Sequence, residues 1–251
     1  MKRSIAVVMD PIERINTAKD TSFALMLEAQ RRGYGLFYVE PGSLSVQHAL
    51  AHGRLATLKI KDVKNQYFEL GEWQNTALSS VDAVLMRKDP PVDDQFIHDT
   101  QILSLAESQG VLVVNRAQGL RDMNEKLTTL LFPQCCPETL VSRSMTDLKE
   151  FIRRHGDTVV KPLNGMGGKS IFRIRHGDGN ANVILETLTD SGSLTMAQKF
   201  IPEIAQGDKR ILLVDGEPVP YVLARIPQGD EFRGNLAAGG RGQGQPLSER
   251  D

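Results

Sequence analysis

The chain has 251 residues, a formal net charge of −1 and 40% hydrophobic residues. That length suits one or two domains with sizeable cores, and the composition is typical of a globular enzyme. The balanced charge excludes a strong electrostatic attraction to nucleic acid or to anionic membranes. No apolar run approaches the roughly 20 residues that cross a bilayer, and no signal peptide is expected. The adjacent cysteines Cys135 and Cys136 are typical of reduced thiols, so we expect a cytoplasmic protein.

The first half of the chain alternates between strand and helix patterns. The continuous apolar run of residues 4–9 predicts a strand that is buried on both faces. Residues 20–32 carry apolar side chains at helical spacing and end before Gly33, and residues 36–39 predict the next strand. A strand, a helix and a strand in this order predict a parallel α/β layer.

After these elements the pattern changes and then returns. Short alternating runs predict hairpins within residues 48–78. A buried strand at 83–86, a helix at 96–109 and a strand at 111–115 follow. Arg87 comes directly after the first of these strands, at the edge where open α/β sheets place ligands.

The second half has shorter elements. Three helices are predicted: one that begins at residues 124–127, one that runs from a Thr146-Asp147 cap to about residue 155, and one at 183–188. The predicted strands are 139–141, 158–161, 171–174 and 194–201. Asp215-Gly216 between the apolar runs 210–214 and 218–223 predicts a hairpin. Residues 226–245 contain six glycines, which predicts a mobile loop that acts as a lid.

A glycine cluster at residues 165–168 joins two of these strands, and Lys161 lies at the end of the first. Glycines let backbone N–H groups approach an anion closely, and the lysine adds a charge, so a polyphosphate ligand is indicated. The cluster is not a P-loop, because Leu163 stands where glycine is required and a strand follows. Ser170 in place of a third glycine excludes the dinucleotide fingerprint. An ordinary hairpin with a flexible turn is the alternative interpretation.

Further charged residues could act together with this cluster. They are Lys126, the run Asp208-Lys209-Arg210, Arg225 and the run Arg233-Gly234-Asn235. Each of them alone is typical of a solvated surface charge. Together with Lys161 they provide cations for three phosphates and an acid for a ribose hydroxyl. This combination indicates phosphoryl transfer by positioning and electrostatic stabilisation.

Long stretches of the sequence resemble the bacterial type of glutathione synthetase, an ATP-grasp ligase. These stretches are residues 9–11, 27–34, 85–91, 120–127, 161–168, 207–210, 215–220, 223–229 and 233–242. They extend over essentially the whole chain, and the last is highly specific to the family. The resemblance implies that γ-glutamylcysteine, glycine and ATP give glutathione, ADP and phosphate through an acyl phosphate. It also implies a homo-oligomer, namely a homotetramer.

The resemblance implies roles for individual residues as well. The ATP phosphates would be held by Lys126 and Lys161 and covered by Gly165, Met166, Gly167 and Gly168. The adenine would be faced by the backbone of Gln198, Lys199, Phe200 and Ile201, and the ribose would be held by Asp208. The implied catalytic residues are Arg210 at a substrate carboxylate, Arg225 and Asn235 toward the transferred phosphate, and Arg233, which shares the mobile loop with Arg241.

The magnesium ligands of this family, an acid followed by a Glu-x-Asn pair, lie beyond the glycine-rich loop. No such block precedes Asp251, so no residue is assigned to a metal. Without it, ATP chemistry would lose its Lewis acid. We therefore expect a fragment of a longer enzyme or a truncated product of doubtful activity. Two alternatives are another ATP-grasp carboxylate–amine ligase with a different acceptor, and an inactive nucleotide-binding module.

The expected fold class is α/β, with a parallel-sheet domain followed by an ATP-grasp fold that comprises a lid and an incomplete C-terminal domain. We expect a substrate domain at residues 1–122 and a lid subdomain at 123–195. Residues 196–251 would begin the C-terminal subdomain and would include the mobile loop 226–245.

Overall fold

The computed structural model describes residues 3–249 and 251. The chain forms two compact units, Met1–Asn124 and Glu125–Asp251. The helices and strands of the first unit are β1 (Ser4–Val8), α1 (Thr21–Arg31), β2 (Gly35–Val39), β3 (Ser45–Gln47), β4 (Leu50–Ile60), β5 (Phe68–Ala77), β6 (Ala83–Met86), α2 (Asp94–Ser108), β7 (Leu112–Val114) and α3 (Ala117–Asp122).

The first unit is built on one seven-stranded sheet in the order β3-β4-β2-β1-β6-β7, with β5 paired to β4. Strands β2, β1, β6 and β7 are parallel, as the strand–helix–strand pattern predicts. Strands β3, β4 and β5 are antiparallel additions, which confirms the hairpins predicted within residues 48–78.

Side chains of β1 alternate between two apolar layers. Ala6 and Val8 belong to the layer that contains Leu103 of α2, whereas Val7 belongs to the layer that contains Phe23 of α1. Successive side chains of a strand point to opposite faces, so a strand that is apolar throughout must be covered on both. The helices therefore cover both faces of the parallel part of the sheet.

The second unit contains smaller sheets. Its helices and strands are β8 (Thr139–Ser142), α4 (Met145–His155), β9 (Asp157–Pro162), β10 (Phe172–Arg175), α5 (Ala181–Thr189), β11 (Thr195–Lys199), β12 (Asp208–Arg210), β13 (Leu213–Val214), β14 (Glu217–Pro218), β15 (Tyr221–Ile226) and β16 (Arg241–Pro246). Strands β10-β9-β11-β8 form an antiparallel sheet, β12-β15-β16 form a second sheet, and β13 pairs with β14. Helices α4 and α5 supply Leu148 and Leu185 to a core that also contains Val160 of β9.

Three predictions for the second unit were wrong in part. Residues 124–127 do not begin an α-helix, because only a 3₁₀ turn, Thr128–Leu131, forms before Pro133. Helix α4 is capped by Ser144, whose hydroxyl accepts from the Asp147 N–H at 3.2 Å, and not by Thr146 or Asp147. The N-cap is the residue before the first helical residue, and α4 begins at Met145, so Ser144 is the cap.

The glycine-rich loop predicted at 226–245 is shorter in the structure. Residues Arg241–Pro246 form β16, whose backbone pairs with the whole of β15, so the connection is limited to residues 227–240. The glycines of this strand are typical of a loop, but backbone pairing needs no side chain, so they do not prevent a strand. The predicted hairpin at Asp215-Gly216 is confirmed, with both residues at positive φ and a ladder of two residue pairs.

No helix among residues 3–249 is both long and apolar enough to cross a membrane.

Candidate functional site

One face of the antiparallel sheet in the second unit carries the residues around which the candidate site is built. Val160 lies on the opposite face, within the core formed with α4 and α5. Val159 and Lys161 therefore share the face that the helices leave uncovered. Gln198 of β11 is the direct partner of Val159 in the ladder, which places it on that same face. The alternation of β9 thus directs Lys161 into the cleft described below.

Lys161 is a partly buried cation that has no acidic hydrogen-bond partner among the described residues. Its Nζ donates to Oε1 of Gln198 at 2.7 Å, and the amide of Gln198 donates in turn to the Thr139 hydroxyl at 3.0 Å. The pKa of Lys161 is lowered, chiefly because burial disfavours the charged form and also because Lys126 lies nearby. An anion in the cleft would relieve both effects.

Lys126 holds the segment that follows β9. Its side chain is 13% exposed, and its Nζ donates to the carbonyl oxygens of Gly165 at 2.6 Å and Leu163 at 3.2 Å. The carboxylate of Glu125 accepts a further bond at 2.8 Å. One ammonium group therefore fixes the beginning of the turn, residues 163–171, that we call the first glycine loop.

The first glycine loop contacts the connection 227–240, which we call the second glycine loop. Gly168 has a φ of +83°, and a Cβ at this position would lie 3.0 Å from Oδ1 of Asn235. Its carbonyl oxygen accepts from Nη1 of Arg233 at 2.7 Å. Only glycine combines this left-handed backbone with so close an approach. The two loops therefore meet at Gly168.

Arg233 is organised by Glu231 of the same loop. The guanidinium donates to Oε2 of Glu231, and the N–H groups of Phe232 and Arg233 donate to Oε1 at 2.9 and 3.0 Å. The hydrogen bond from Arg233 is the main reason that the pKa of Glu231 falls to about 2. Nε of Arg233 is buried and has no hydrogen-bond partner among the described residues. Arg233 therefore keeps a donor for a further acceptor.

Asp208 and Arg225 form an ion pair between neighbouring strands. They are direct partners in the β12–β15 ladder, and the Arg225 guanidinium donates to both carboxylate oxygens of Asp208. Asp208 lines the cleft, whereas Arg225 does not. Arg210 lies two residues after Asp208 on the same side of β12, but its side chain is exposed and does not line the cleft.

The cleft has an apolar end and a cationic end. The apolar end, a cavity of about 230 Å³, is lined by Pro137, Val159, Lys161, Ile171, Gln198, Lys199, Phe200, Ile201, Ile204, Asp208, Phe232, Arg233, Gly234 and Asn235. The cationic end is lined by Glu125, Lys126, Lys161, Pro162, Gly165, Met166, Gly167, Gly168, Lys169, Ile171 and Asn235. Lys161, Ile171 and Asn235 line both ends, so the two ends are adjacent, and we treat them as one cleft.

Most of the predicted site residues lie along this cleft. They are Lys126, Lys161, Gly165, Met166, Gly167, Gly168, Gln198, Lys199, Phe200, Ile201, Asp208, Arg233 and Asn235. Arg210 and Arg225 do not line it, and Arg241 is an exposed residue of β16. Arg87 belongs to the first unit, where its Nε donates to the Ser22 hydroxyl at 2.9 Å.

The structure narrows the prediction for the backbone of residues 198–201. The N–H of Lys199 donates to the Glu138 carbonyl, and the N–H of Phe200 donates to the Asp157 carbonyl, both at 3.0 Å. These two donors are engaged within the sheet. An adenine in the cleft would therefore have to be met by the other backbone groups of the segment, beginning with Ile201, where the strand has ended.

Several residues at the cleft were not found from the sequence. Val159 could have been found, because it alternates with Lys161 along β9. Glu231 and Phe232 carry no such signal, since their positions depend on how the second glycine loop folds. Arg173 stacks on the ring of Phe200, with 3.6 Å between its Cζ and the ring centroid. That contact depends on the pairing of strands.

The described side chains of this unit do not form a metal site by themselves. Within residues 3–249 and 251, no group of three or more His, Cys, Asp or Glu side chains is placed to hold a metal ion. Magnesium that accompanies a polyphosphate needs only one or two carboxylates, because waters and phosphate oxygens supply its other ligands. A magnesium ion would therefore be held here mainly by the phosphates of a bound ligand.

Comparisons with known proteins agree on the family. Residues 3–121 match the N-terminal domain of prokaryotic glutathione synthetase, and residues 125–251 match its ATP-grasp domain. The glutathione synthetase of Xanthomonas axonopodis pv. citri is 62% identical over 252 residues, which cover 100% of this chain and 80% of the relative. That of Salmonella typhimurium is 55% identical over 98% of this chain and 79% of its own length.

Solved structures with low sequence identity share the fold. A RimK domain protein of the ATP-grasp class from Sphaerobacter thermophilus has a TM-score of 0.58 at 19% identity, over 94% of this chain and 80% of the neighbour. D-alanyl-alanine synthetase A from Vibrio cholerae has a TM-score of 0.58 at 11% identity, over 99% of this chain and 76% of the neighbour. The expected ATP-grasp fold is thus confirmed. The chain belongs to the prokaryotic glutathione synthetase family.

Proposed function

We propose that the cleft of the second unit binds ATP, with the triphosphate at the cationic end and the adenine at the apolar end. As a member of its family, the chain is an ATP-dependent carbon–nitrogen ligase that forms glutathione. The observation that supports the placement of the nucleotide is the partly buried ammonium of Lys161, which lies near Lys126. Glu125 already pairs with Lys126, whereas Lys161 has no carboxylate partner among the described residues, so a polyphosphate would supply the missing negative charge.

The proposed reaction has two steps. A carboxylate oxygen of γ-glutamylcysteine attacks the γ-phosphorus of ATP, so the bond to the β-phosphate oxygen breaks and ADP leaves. The amine of glycine then attacks the acyl carbon of the resulting acyl phosphate. Loss of inorganic phosphate and of the amine proton leaves the new amide bond. Both steps concentrate negative charge where the lysines lie.

The residues of this chain contribute positioning, charge and exclusion of water. Lys126 and Lys161 would orient the triphosphate, and the free Nε–H of Arg233 would donate to a phosphate or acyl phosphate oxygen. The contact between Arg233 and Gly168 would hold the two glycine loops together over the reacting groups. An acyl phosphate hydrolyses readily, so a closed site protects the intermediate.

Finer assignments are part of the same proposal. We place the dipeptide carboxylate near Arg210 and assign the ribose to Asp208, which lines the cleft although Arg225 holds its carboxylate. We propose magnesium as the partner of ATP, a cytoplasmic location, and a homotetramer. We propose a lid subdomain that ends near residue 200 and not at residue 195, because β11 pairs within the sheet of β8, β9 and β10.

ADP release tests this function. We expect ADP and phosphate to form in the presence of magnesium only when γ-glutamylcysteine and glycine are both present. Turnover with another amine in place of glycine would favour a different carboxylate–amine ligase. Binding of ATP without any turnover would favour a nucleotide-binding module, and no ATP binding would reject the proposed cleft.

A further inference from the structure

The apolar end of the cleft contains an aromatic residue at a strand end. Phe200 directly follows β11 and lines the cleft. The ring of Phe232 from the second glycine loop contacts it edge-on, with 6.5 Å between centroids. A nucleotide base needs flat apolar contacts, whereas the phosphates need the lysines at the other end. If ATP binds as proposed above, its base therefore lies at the end that contains Phe200.

Arg173 covers the ring of Phe200. The Cζ atom of the guanidinium lies 3.6 Å from the ring centroid, well inside the range of cation–π contacts. Arg173 belongs to β10, in register with Val159 of β9, whose side chain lines the cleft. The stack thus connects the strand next to the cleft with the aromatic residue at its apolar end.

Asp157 fixes both members of this stack. Its carboxylate accepts from Nε of Arg173 at 2.8 Å and from Nη2 as well, which is the planar two-bond arrangement that guanidinium groups favour. Its backbone carbonyl accepts from the N–H of Phe200 at 3.0 Å. One residue therefore sets the plane of the guanidinium and the position of the Phe200 backbone. The Phe200 ring thus contacts a guanidinium that is itself held in place.

We propose that Asp157 and Arg173 are positioning residues for the base end of the nucleotide, acting through the ring of Phe200. Neither residue lines the cleft at its apolar end, and neither would touch the phosphates. Their role is to hold the phenyl ring where a base can pack against it. This inference rests on the proposed function, since it requires that ATP occupies the cleft.

The chain offers a matched control for this stack. Arg175 lies on the same strand, and its Nε is 4.0 Å from the same Asp157 carboxylate, but its side chain is 69% exposed and it does not stack on Phe200. The variants Arg173→Leu and Arg175→Leu thus remove the same charge from the same strand. Asp157→Asn provides a milder change, which releases the guanidinium and leaves its cation in place.

The experiment compares two probes by titration calorimetry, ATP and inorganic tripolyphosphate, which has the phosphates but no base. In Arg173→Leu we expect ATP to bind about threefold to tenfold more weakly, because the ring is no longer held where the base would pack on it, and tripolyphosphate to bind as in the wild type. Asp157→Asn is expected to show a smaller loss with the same selectivity. Arg175→Leu is expected to change neither affinity. If Arg173→Leu does not fold, as judged by circular dichroism, Asp157→Asn decides the question.

Two other results would overturn the inference, each with a distinct meaning. If both probes weaken equally in Arg173→Leu, or if neither changes, the stack does not position the base, although the proposed function stands. If the wild type binds ATP no more tightly than tripolyphosphate, the apolar end does not receive a base. In that case the placement of ATP fails together with the inference.

Discussion

The two units use the same kinds of elements for different purposes. In the first unit, the buried residues of the sheet are apolar on both faces, and the ion pairs Arg31–Glu28 and Lys61–Glu69 are on the surface. In the second unit, one sheet face packs on helices and the other carries the partly buried Lys161. Burial thus covers apolar side chains in the first unit, whereas in the second it also encloses part of a charged group, which the proposed phosphates would neutralise.

The largest effect on stability is expected in the first unit. Leu103 of α2 is fully buried, so Leu103→Ala should lower the free energy of unfolding by about 2–5 kcal/mol through lost packing and a cavity. Trp73 is the single tryptophan and lies in this unit, so its fluorescence during urea denaturation measures the unfolding of the unit. ATP affinity of the folded variant should be unchanged.

Leu112 is the control for that experiment because its side chain is 62% exposed. Leu112→Ala should change the unfolding free energy by less than about 0.5 kcal/mol. If Leu103→Ala weakened ATP binding as strongly as it weakened folding, the assignment of stability to one unit and binding to the other would be wrong.

The second largest effect is expected from Gly234→Ala, because Gly234 is closely packed against Asp208. A Cβ on Gly234 would lie 2.5 Å from the Arg225 carbonyl oxygen and 2.6 Å from Oδ1 of Asp208. Gly234→Ala must displace one of these groups, at a cost of about 1–3 kcal/mol. We expect ATP affinity to fall about tenfold in calorimetric titration. Gly244→Ala is the matched control, because its Cβ would meet no atom within 4 Å. Equal affinities for the two variants would contradict the prediction.

A smaller effect on ATP affinity is expected from a change of pH. The pKa of Lys161 is lowered by burial and by Lys126, and the charged form is the one that binds phosphate. ATP affinity should therefore fall as pH rises through this lowered pKa, at a lower pH than an exposed lysine would produce. Titrations between neutral pH and about pH 10 measure the change. Lys161→Arg should remove the dependence, since a guanidinium stays charged; a slope that persists in this variant would assign the titration to another group.

Much of the first unit could be predicted from the sequence. The apolar run at residues 4–9 and the periodicity at 20–32 each depend on neighbours within one element, so local patterns were sufficient. The second unit was harder for a physical reason. Strand β16 contains Gly242 and Gly244 and is defined by backbone pairing with β15, which leaves no mark in its side chains.

In the candidate site, too, contacts that depend on strand pairing could not be predicted from the sequence. Lys126, Lys161 and the first glycine loop were recognised because a motif and a family resemblance identify them. The ion pair between Asp208 and Arg225 could not be predicted, because it depends on the register of two strands. The stack of Arg173 on Phe200 likewise depends on strands that meet only after folding. Residues that act through other residues carry no local signature.

The most direct test of the account is the affinity of Lys161→Ala for ATP, measured by calorimetry beside Lys149→Ala. Lys149 lies exposed on α4, which covers the opposite face of the same sheet. The loss of a partly buried, charge-assisted contact predicts binding about 10-fold to 100-fold weaker in Lys161→Ala, with Lys149→Ala equal to the wild type. Wild-type affinity in a folded Lys161→Ala variant would show that the Lys161 ammonium does not hold the triphosphate.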